Sequence, residues 1–198
     1  QRQMCIRDSV RAIGETGIDH WGTEEPGWQV QREVFAAHVR MAHKHHCTLA
    51  IHDREGHDDV LHILDQEGWP ERVIMHCFSG GADLARECVR HGAWLSFPGV
   101  LTFKNAERTR QALHATPVDK ILVETDAPFL TPHPRRGKRN GPYLIAHTIR
   151  FLSEQLDWDE ASCCEQLRRN TLAAYGGPWE DVHGVTPLQL PASGEETR

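Results

Sequence analysis

The chain has 198 residues and is short of several things. It has no apolar run approaching the roughly 20 residues that a membrane-spanning helix needs, which argues against an integral membrane protein. It has no surplus of positive charge. The formal net charge is −6, so general electrostatic attraction to nucleic acid is excluded, and any such binding must use a local basic patch. There are six cysteines but no Cys-x-x-Cys pair, and their spacing suggests no disulfide framework. Reduced thiols in a cytosolic setting are therefore expected. Repeats of fixed period and low-complexity blocks are also lacking, which excludes solenoid architectures.

What remains is the composition of one globular domain, with 39% hydrophobic and 25% charged residues. The first nine residues, QRQMCIRDS, have neither the apolar core of a signal peptide nor the period of a strand or helix. They read as a scar-like, non-native segment. The strand that follows starts abruptly, so the chain reads as an N-terminally truncated piece of a longer one. Residues 177–198 hold three prolines and an acidic end, and predict a loose tail.

Between these ends, strand-like and helix-like segments alternate. Strands are expected over residues 10–15, 48–52, 72–76, 93–97 and 120–126. Helices are expected over 29–46, 56–67, a segment opened by Ser79-Gly80-Gly81 and closed by Gly92, 105–114, 142–156 and 159–174. In the first helix Val34, His38 and Ala42 recur at four-residue spacing. Asp159 is a candidate N-cap for the last. Strands separated by helices predict βαβ units and a parallel α/β sheet.

In such folds chemistry gathers at the C-terminal ends of the strands. Four of the five expected strands end in a metal-binding residue type: Glu15, His52, His76 and Asp126. A carboxylate at the end of a buried strand needs charge compensation, which a divalent cation or an arginine can supply. Imidazole and carboxylate together suit Zn, Mn, Fe or, with more water, Mg. Taken singly, each residue has a plainer role as a hydrogen-bonded histidine, an ion pair or a helix cap. Four such ends on one sheet make the metal reading the stronger. His43, His45 and His46 close a helix, where partial positive charge suits the dipole, and read as surface residues. Cys77 is turned away from His76 by strand alternation and has no ligand role.

The stretches IGETGID, AIHDRE, MHCFSGG, SFPGV and LVETDAPFLTP, in this order, closely resemble the TatD-type metal-dependent deoxyribonucleases, members of the amidohydrolase-like hydrolases. RNTLAAYG is similar to the family's C-terminal helix, so the resemblance spans residues 10–176. It implies a TIM (β/α)₈ barrel with two divalent ions, Mg, Mn or Zn, at the strand C-termini. Glu15 would bridge both ions, His52 and His76 would hold one, and Asp126 would ligate the other and orient or deprotonate the attacking water. Glu124, on the same side as Asp126 by two-residue alternation, would orient a ligand.

One feature of the family is missing. Its members carry a His-x-His pair on the first strand, and the only such triplet here, His43-Lys44-His45, lies in a helix. By that comparison the chain supplies strands four to eight of a partial barrel, with exposed sheet edges. It would have one ion site nearly complete, little activity by itself and poor stability.

Arg135, Arg136, Lys138 and Arg139 crowd the loop after Asp126 and could grip a phosphate backbone, while Arg139-Asn140 matches a family pair. Arg54 and Lys104 are further phosphate-binding candidates, and Trp21 and Phe129 could stack on a base. The expected partner is DNA, with RNA as an alternative, for a monomer without membrane contacts. The competing readings are another hydrolase of the superfamily, acting on esters, lactones or amides, and a non-catalytic nucleic-acid binder. A glycosidase using Glu15 and Asp126 leaves His52 and His76 unexplained.

Overall fold

A computed structural model of the protein describes residues 10–177. The scar-like segment 1–9 and the tail beyond residue 177 lie outside the described residues. Five parallel strands form one sheet in sequential order: β1 (Ala12–Asp19), β2 (Thr48–Arg54), β3 (Val73–Met75), β4 (Trp94–Phe97) and β5 (Ile121–Val123). Helices α1 (Glu25–His45), α2 (His57–Glu67), α3 (Ala82–Arg90) and α4 (Glu107–Ala115) connect them. Helices α5 (Ile145–Leu156) and α6 (Glu160–Ala174) follow β5. None of these helices is long and apolar enough to cross a membrane.

Strand alternation divides the side chains between two faces. Leu49, Ile51, Val73, Met75, Leu95, Phe97 and Ile121 join Ile18 in the main core. Phe35, Val39 and Ala42 of α1 pack there, as do Val60, Ile63 and Leu64 of α2 and Leu113 of α4. The opposite face carries a smaller cluster of Ile74, Trp94 and Leu122, covered by Ala174 and Tyr175 at the end of α6. Burial on both faces explains why the strands read as nearly continuous apolar runs. Asn170 fastens α6 to the sheet, donating from Nδ2 to the carbonyls of Val118 and Ile121, each at 2.7 Å. Asp159 caps α6 by accepting from the Ser162 amide at 2.9 Å.

The structure corrects two expected boundaries. The first strand does not end at Glu15 but runs on to Asp19, so Glu15 lies inside it. The fifth strand ends at Val123, three residues before Asp126. Alternation along a strand therefore does not place Asp126. A turn does, in which Asp126 has φ 53° and its carbonyl accepts from the Phe129 amide at 2.9 Å. Aspartate tolerates that left-handed conformation better than most residues.

Glu15 is aimed by an irregularity in β1. The register with β2 passes from Ile13 opposite Leu49 to Thr16 opposite Ile51, so β1 carries one extra residue in this interval. Without the bulge, Glu15 would share a face with Ile13, which packs against the main core. With it, Thr16 and Ile18 return to the helix side, and Glu15 is left on the other side, with His52 and His76. The close approach of β1 to β2 depends on glycine. At Gly17, φ 156°, an added Cβ would fall 1.9 Å from the His52 carbonyl oxygen. At Gly14, φ 151°, it would fall 2.6 Å from the Ala50 carbonyl.

Gly17→Ala is therefore expected to destabilise the fold by at least about 2 kcal/mol, through the disfavoured φ together with the backbone clash. Urea unfolding followed by circular dichroism checks this. A midpoint unchanged from the unsubstituted protein would show that β1 does not need this contact.

Candidate metal centre

The sheet's C-terminal edge brings together the four residues singled out from the strand ends. His52 lies in β2, and His76 follows β3 directly, its amide extending the ladder to the Ile51 carbonyl at 2.8 Å. The Glu15 carboxylate lies between the two rings, with Oε1 2.7 Å from His52 Nδ1 and Oε2 3.2 Å from His76 Nε2. Asp126 Oδ1 is 3.8 Å from the same Nε2 of His76. Glu124 Oε2 is hydrogen-bonded to the other ring nitrogen, Nδ1, at 3.0 Å. Ligand atoms of His76, Glu124 and Asp126 all lie within 4.8 Å of one another, close enough to share one ion.

A fourth carboxylate belongs to the group, and the pattern of strand ends did not include it. Asp19 Oδ2 is hydrogen-bonded to His52 Nε2 at 3.2 Å. The available signal was the same alternation used elsewhere: in GETGID, residues 15, 17 and 19 share a side once the strand is carried through to Asp19. Ending the strand at Glu15 hid it.

The electrostatics are those of too many acids in a small space. The His76 pKa is raised, first by its hydrogen bond to Glu124 and then by the charges of Glu124, Glu15 and Asp126, against the opposing effect of burial. The Asp126 carboxyl is also raised, first by burial and then by Glu124 and Glu15, while His76 and His52 act to lower it. Burial and the same three carboxylates push the Cys77 thiol up to about 12, so it stays protonated and does not compete as a ligand. Glu124 Oε1 is buried and has no hydrogen-bond partner among the described residues. Two imidazoles, four carboxylates and an orphaned carboxylate oxygen fit a bound divalent cation, which would offset the charge and take the spare oxygen.

The expected substrate-binding residues divide into two kinds. Arg54, at the end of β2, is exposed and places its guanidinium 4.0 Å from the ring centroid of Trp21. Arg135, Arg136, Lys138 and Arg139 are all exposed on the loop between β5 and α5, and Arg136 lies over the Phe103 ring at 3.6 Å. Lys104 and Phe129 are exposed as well. Asn140, in contrast, is buried, and its amide is consumed within the loop. Nδ2 donates to the carbonyls of Thr125 and Phe129 at 2.7 and 2.6 Å, and Oδ1 accepts from the Gly141 amide at 2.8 Å. It holds the loop's shape and is not presented to a ligand. The histidines read as surface or packing residues include His43, bonded to the Gly68 carbonyl, and His91, stacked on Trp69.

Comparison with known proteins places the chain in a family. A family model described as TatD related DNase matches residues 2–176. The chain is 44% identical over 183 residues to an uncharacterized metal-dependent hydrolase TatD of Mycobacterium tuberculosis, covering 89% of this chain and 69% of that protein. It is 41% identical over 155 residues to the uncharacterized metal-dependent hydrolase YabD of Bacillus subtilis, covering 77% of this chain and 60% of the relative. Among solved structures, YJJV, a TatD homolog of Escherichia coli, superposes with TM-score 0.81 at 26% identity, over 89% of this chain and 68% of that one. An uncharacterized amidohydrolase of Saccharomyces cerevisiae shares the fold, with TM-score 0.68 at 16% identity over 88% of this chain and 68% of that one.

Removing the Asn140 amide orphans two carbonyls, so Asn140→Ala is expected to cost about 2 kcal/mol locally. Hydrogen exchange would show it as reduced protection in the segment 125–131. Undiminished protection there would mean that the loop is held by other contacts.

Proposed function

The chain belongs to the TatD-related DNase family, and from that premise we propose that it is a metal-dependent hydrolase of DNA phosphodiester bonds, acting from the 3′ end. The observation that carries this reading is the Glu15 carboxylate lying between His52 and His76 with Asp126 beside them. A divalent ion bound by these groups would lower the pKa of a bound water and polarise a phosphoryl oxygen. Glu15, His52 and His76 are the ligands of the better-equipped site, and Glu15 and Asp126 are what the described residues offer a second ion.

Each protein group then has a task. Glu124 holds His76 by Nδ1 and leaves Nε2 facing Glu15 and Asp126. Asp126 would orient the attacking water and accept its proton. The exposed cations Arg135, Arg136, Lys138 and Arg139 lie on the loop that begins beside Asp126 and are suited to hold the phosphate backbone. Trp21 with Arg54 above it, and Phe129, offer exposed stacking surfaces for unpaired bases. We read the five strands as strands four to eight of a (β/α)₈ arrangement, the protein as a cytosolic monomer, and DNA as the substrate with RNA as the alternative.

The test is release of nucleotides from 3′-labelled single-stranded DNA with Mg²⁺ or Mn²⁺ and with EDTA. Activity should need the metal and should fall about 100-fold or more in Asp126→Asn and in Glu15→Gln. Cleavage indifferent to EDTA or to Asp126→Asn would overturn the reading. Metal-dependent turnover of nitrophenyl carboxylic esters, with DNA left intact, would replace the substrate class.

Alanine at Arg135, Lys138 and Arg139 together is expected to weaken single-stranded DNA binding uniformly across sequences. It should also flatten log K against log salt by about 0.7 for each phosphate no longer neutralised. An unchanged salt slope, measured by fluorescence anisotropy, would remove this loop from the interface.

A further inference from the structure

The His52 ring lies between two carboxylates, and only one of them is shared with the rest of the centre. Glu15, 2.7 Å from Nδ1, also reaches His76 Nε2 at 3.2 Å. Asp19, hydrogen-bonded to Nε2 at 3.2 Å, has its second oxygen committed elsewhere, accepting from the Trp21 amide at 2.9 Å. In the ion-free geometry the shorter contact, 2.7 Å to Glu15, calls for a proton on Nδ1; a bound cation would displace that proton and leave the ring's one N–H on Nε2, facing Asp19. We propose that Asp19 is a positioning residue that holds the His52 proton on Nε2 and so presents the bare Nδ1 to the metal beside Glu15. The inference rests on the metal-centre reading above.

Three observations support it. First, the His76 ring is held the same way but turned round. Its Nδ1 is hydrogen-bonded to Glu124 Oε2 at 3.0 Å, and its Nε2 faces Glu15 and Asp126. Each ring thus has one carboxylate behind it, and the two forward nitrogens converge on Glu15. A carboxylate behind a ligating histidine fixes its tautomer and raises its basicity.

Second, the position of Asp19 does not depend on a metal. Its backbone amide donates to Gln31 Oε1 at 2.7 Å, and its carbonyl accepts from Gln31 Nε2 at 2.9 Å. This two-way clamp ties the end of β1 to α1. The preceding residue, Ile18, is fully buried in the main core. The carboxylate therefore has a fixed base from which to orient the ring.

Third, nothing crowds the ring from the neighbouring strand. Gly17 stands opposite His52 in the β1–β2 register and has no side chain to press on it. The ring's orientation is left to its two carboxylates.

Asp19 also connects the centre to its rim. The Trp21 amide docks on the same carboxylate, and the Trp21 ring carries Arg54. A group that seats on Trp21 is thereby referenced to the same aspartate that orients His52.

The experiment measures the tautomer before activity. Long-range ¹H–¹⁵N correlation on the Zn²⁺-bound protein reports which nitrogen of His52 keeps its proton, with His52→Gln identifying the signal. The Nε2–H form should dominate in the unsubstituted protein, and Asp19→Ala should raise the Nδ1–H share. Titration calorimetry with Zn²⁺ should then show affinity weakened about 10–100-fold in Asp19→Ala. Asp19→Asn keeps one acceptor oxygen where Asp19 serves two donors, His52 Nε2–H and the Trp21 amide, so its affinity should fall between those of the unsubstituted protein and Asp19→Ala, and circular dichroism checks that both variants fold. An Nδ1–H tautomer in the unsubstituted protein, or an Asp19→Ala variant with unchanged tautomer and Zn²⁺ affinity, would overturn the proposal. Failure of the metal-centre reading has a different signature: Zn²⁺ binding that His52→Gln does not weaken.

Discussion

Everything at the upper edge of the sheet depends on one constraint: carboxylates placed against imidazoles with too little positive charge to balance them. Glu15, Asp19, Glu124 and Asp126 surround His52 and His76, and the Asp126 carboxyl is raised as a result of burial and of its acidic neighbours. A fold tolerates such an arrangement when a cation completes it, because isolated buried charge is costly. The orphaned oxygen of Glu124 points the same way. The contacts of the two histidines divide cleanly between carboxylates that hold the rings and carboxylates that share the metal.

Holding this arrangement is the work of backbone features rather than of bulk. An extra residue in β1 turns Glu15 away from the helix-packed core, and two glycines let β1 lie close enough to β2 for the Glu15 carboxylate to reach both histidines. At the other side of the sheet, a left-handed residue at Asp126 turns the chain out of β5 and into the basic loop. Asn140 then closes that loop by bonding back to Thr125 and Phe129. The main core supplies rigidity beneath these features. Leu49 and Ile51 precede His52 within β2, and Val73 and Met75 lead directly to His76, all four of them almost fully buried.

The charge of the molecule is organised around the same edge. A chain of net −6 gathers Arg135, Arg136, Lys138 and Arg139 on one exposed loop next to its most acidic cluster. Such a juxtaposition suits a polyanion that must be held by its phosphates while one of them meets a metal. On the proposed reading, the same separation would let an overall acidic protein engage nucleic acid without a general basic surface.

Alternation of apolar strands with amphipathic helices was enough, from the sequence alone, to establish a parallel α/β sheet, because burial on both faces leaves a pattern of period two beside one of 3.6. Residue type at the expected strand ends pointed to Glu15, His52, His76 and Asp126 only through the coincidence of four such ends on one sheet, since each residue singly has a plainer role. Asp19 escaped because the strand was ended four residues too early. Asn140 stands among the expected substrate-binding residues through the resemblance of Arg139-Asn140 to a family pair, and its burial cannot be read from a loop otherwise basic and exposed. Only the tertiary structure could decide which way Glu15 points, because a one-residue bulge reverses the face and leaves no mark in composition. It also decided which nitrogen of each histidine faces Glu15. That choice depends on what stands behind each ring: Asp19, from a neighbouring strand, for His52, and Glu124, 48 residues on, for His76.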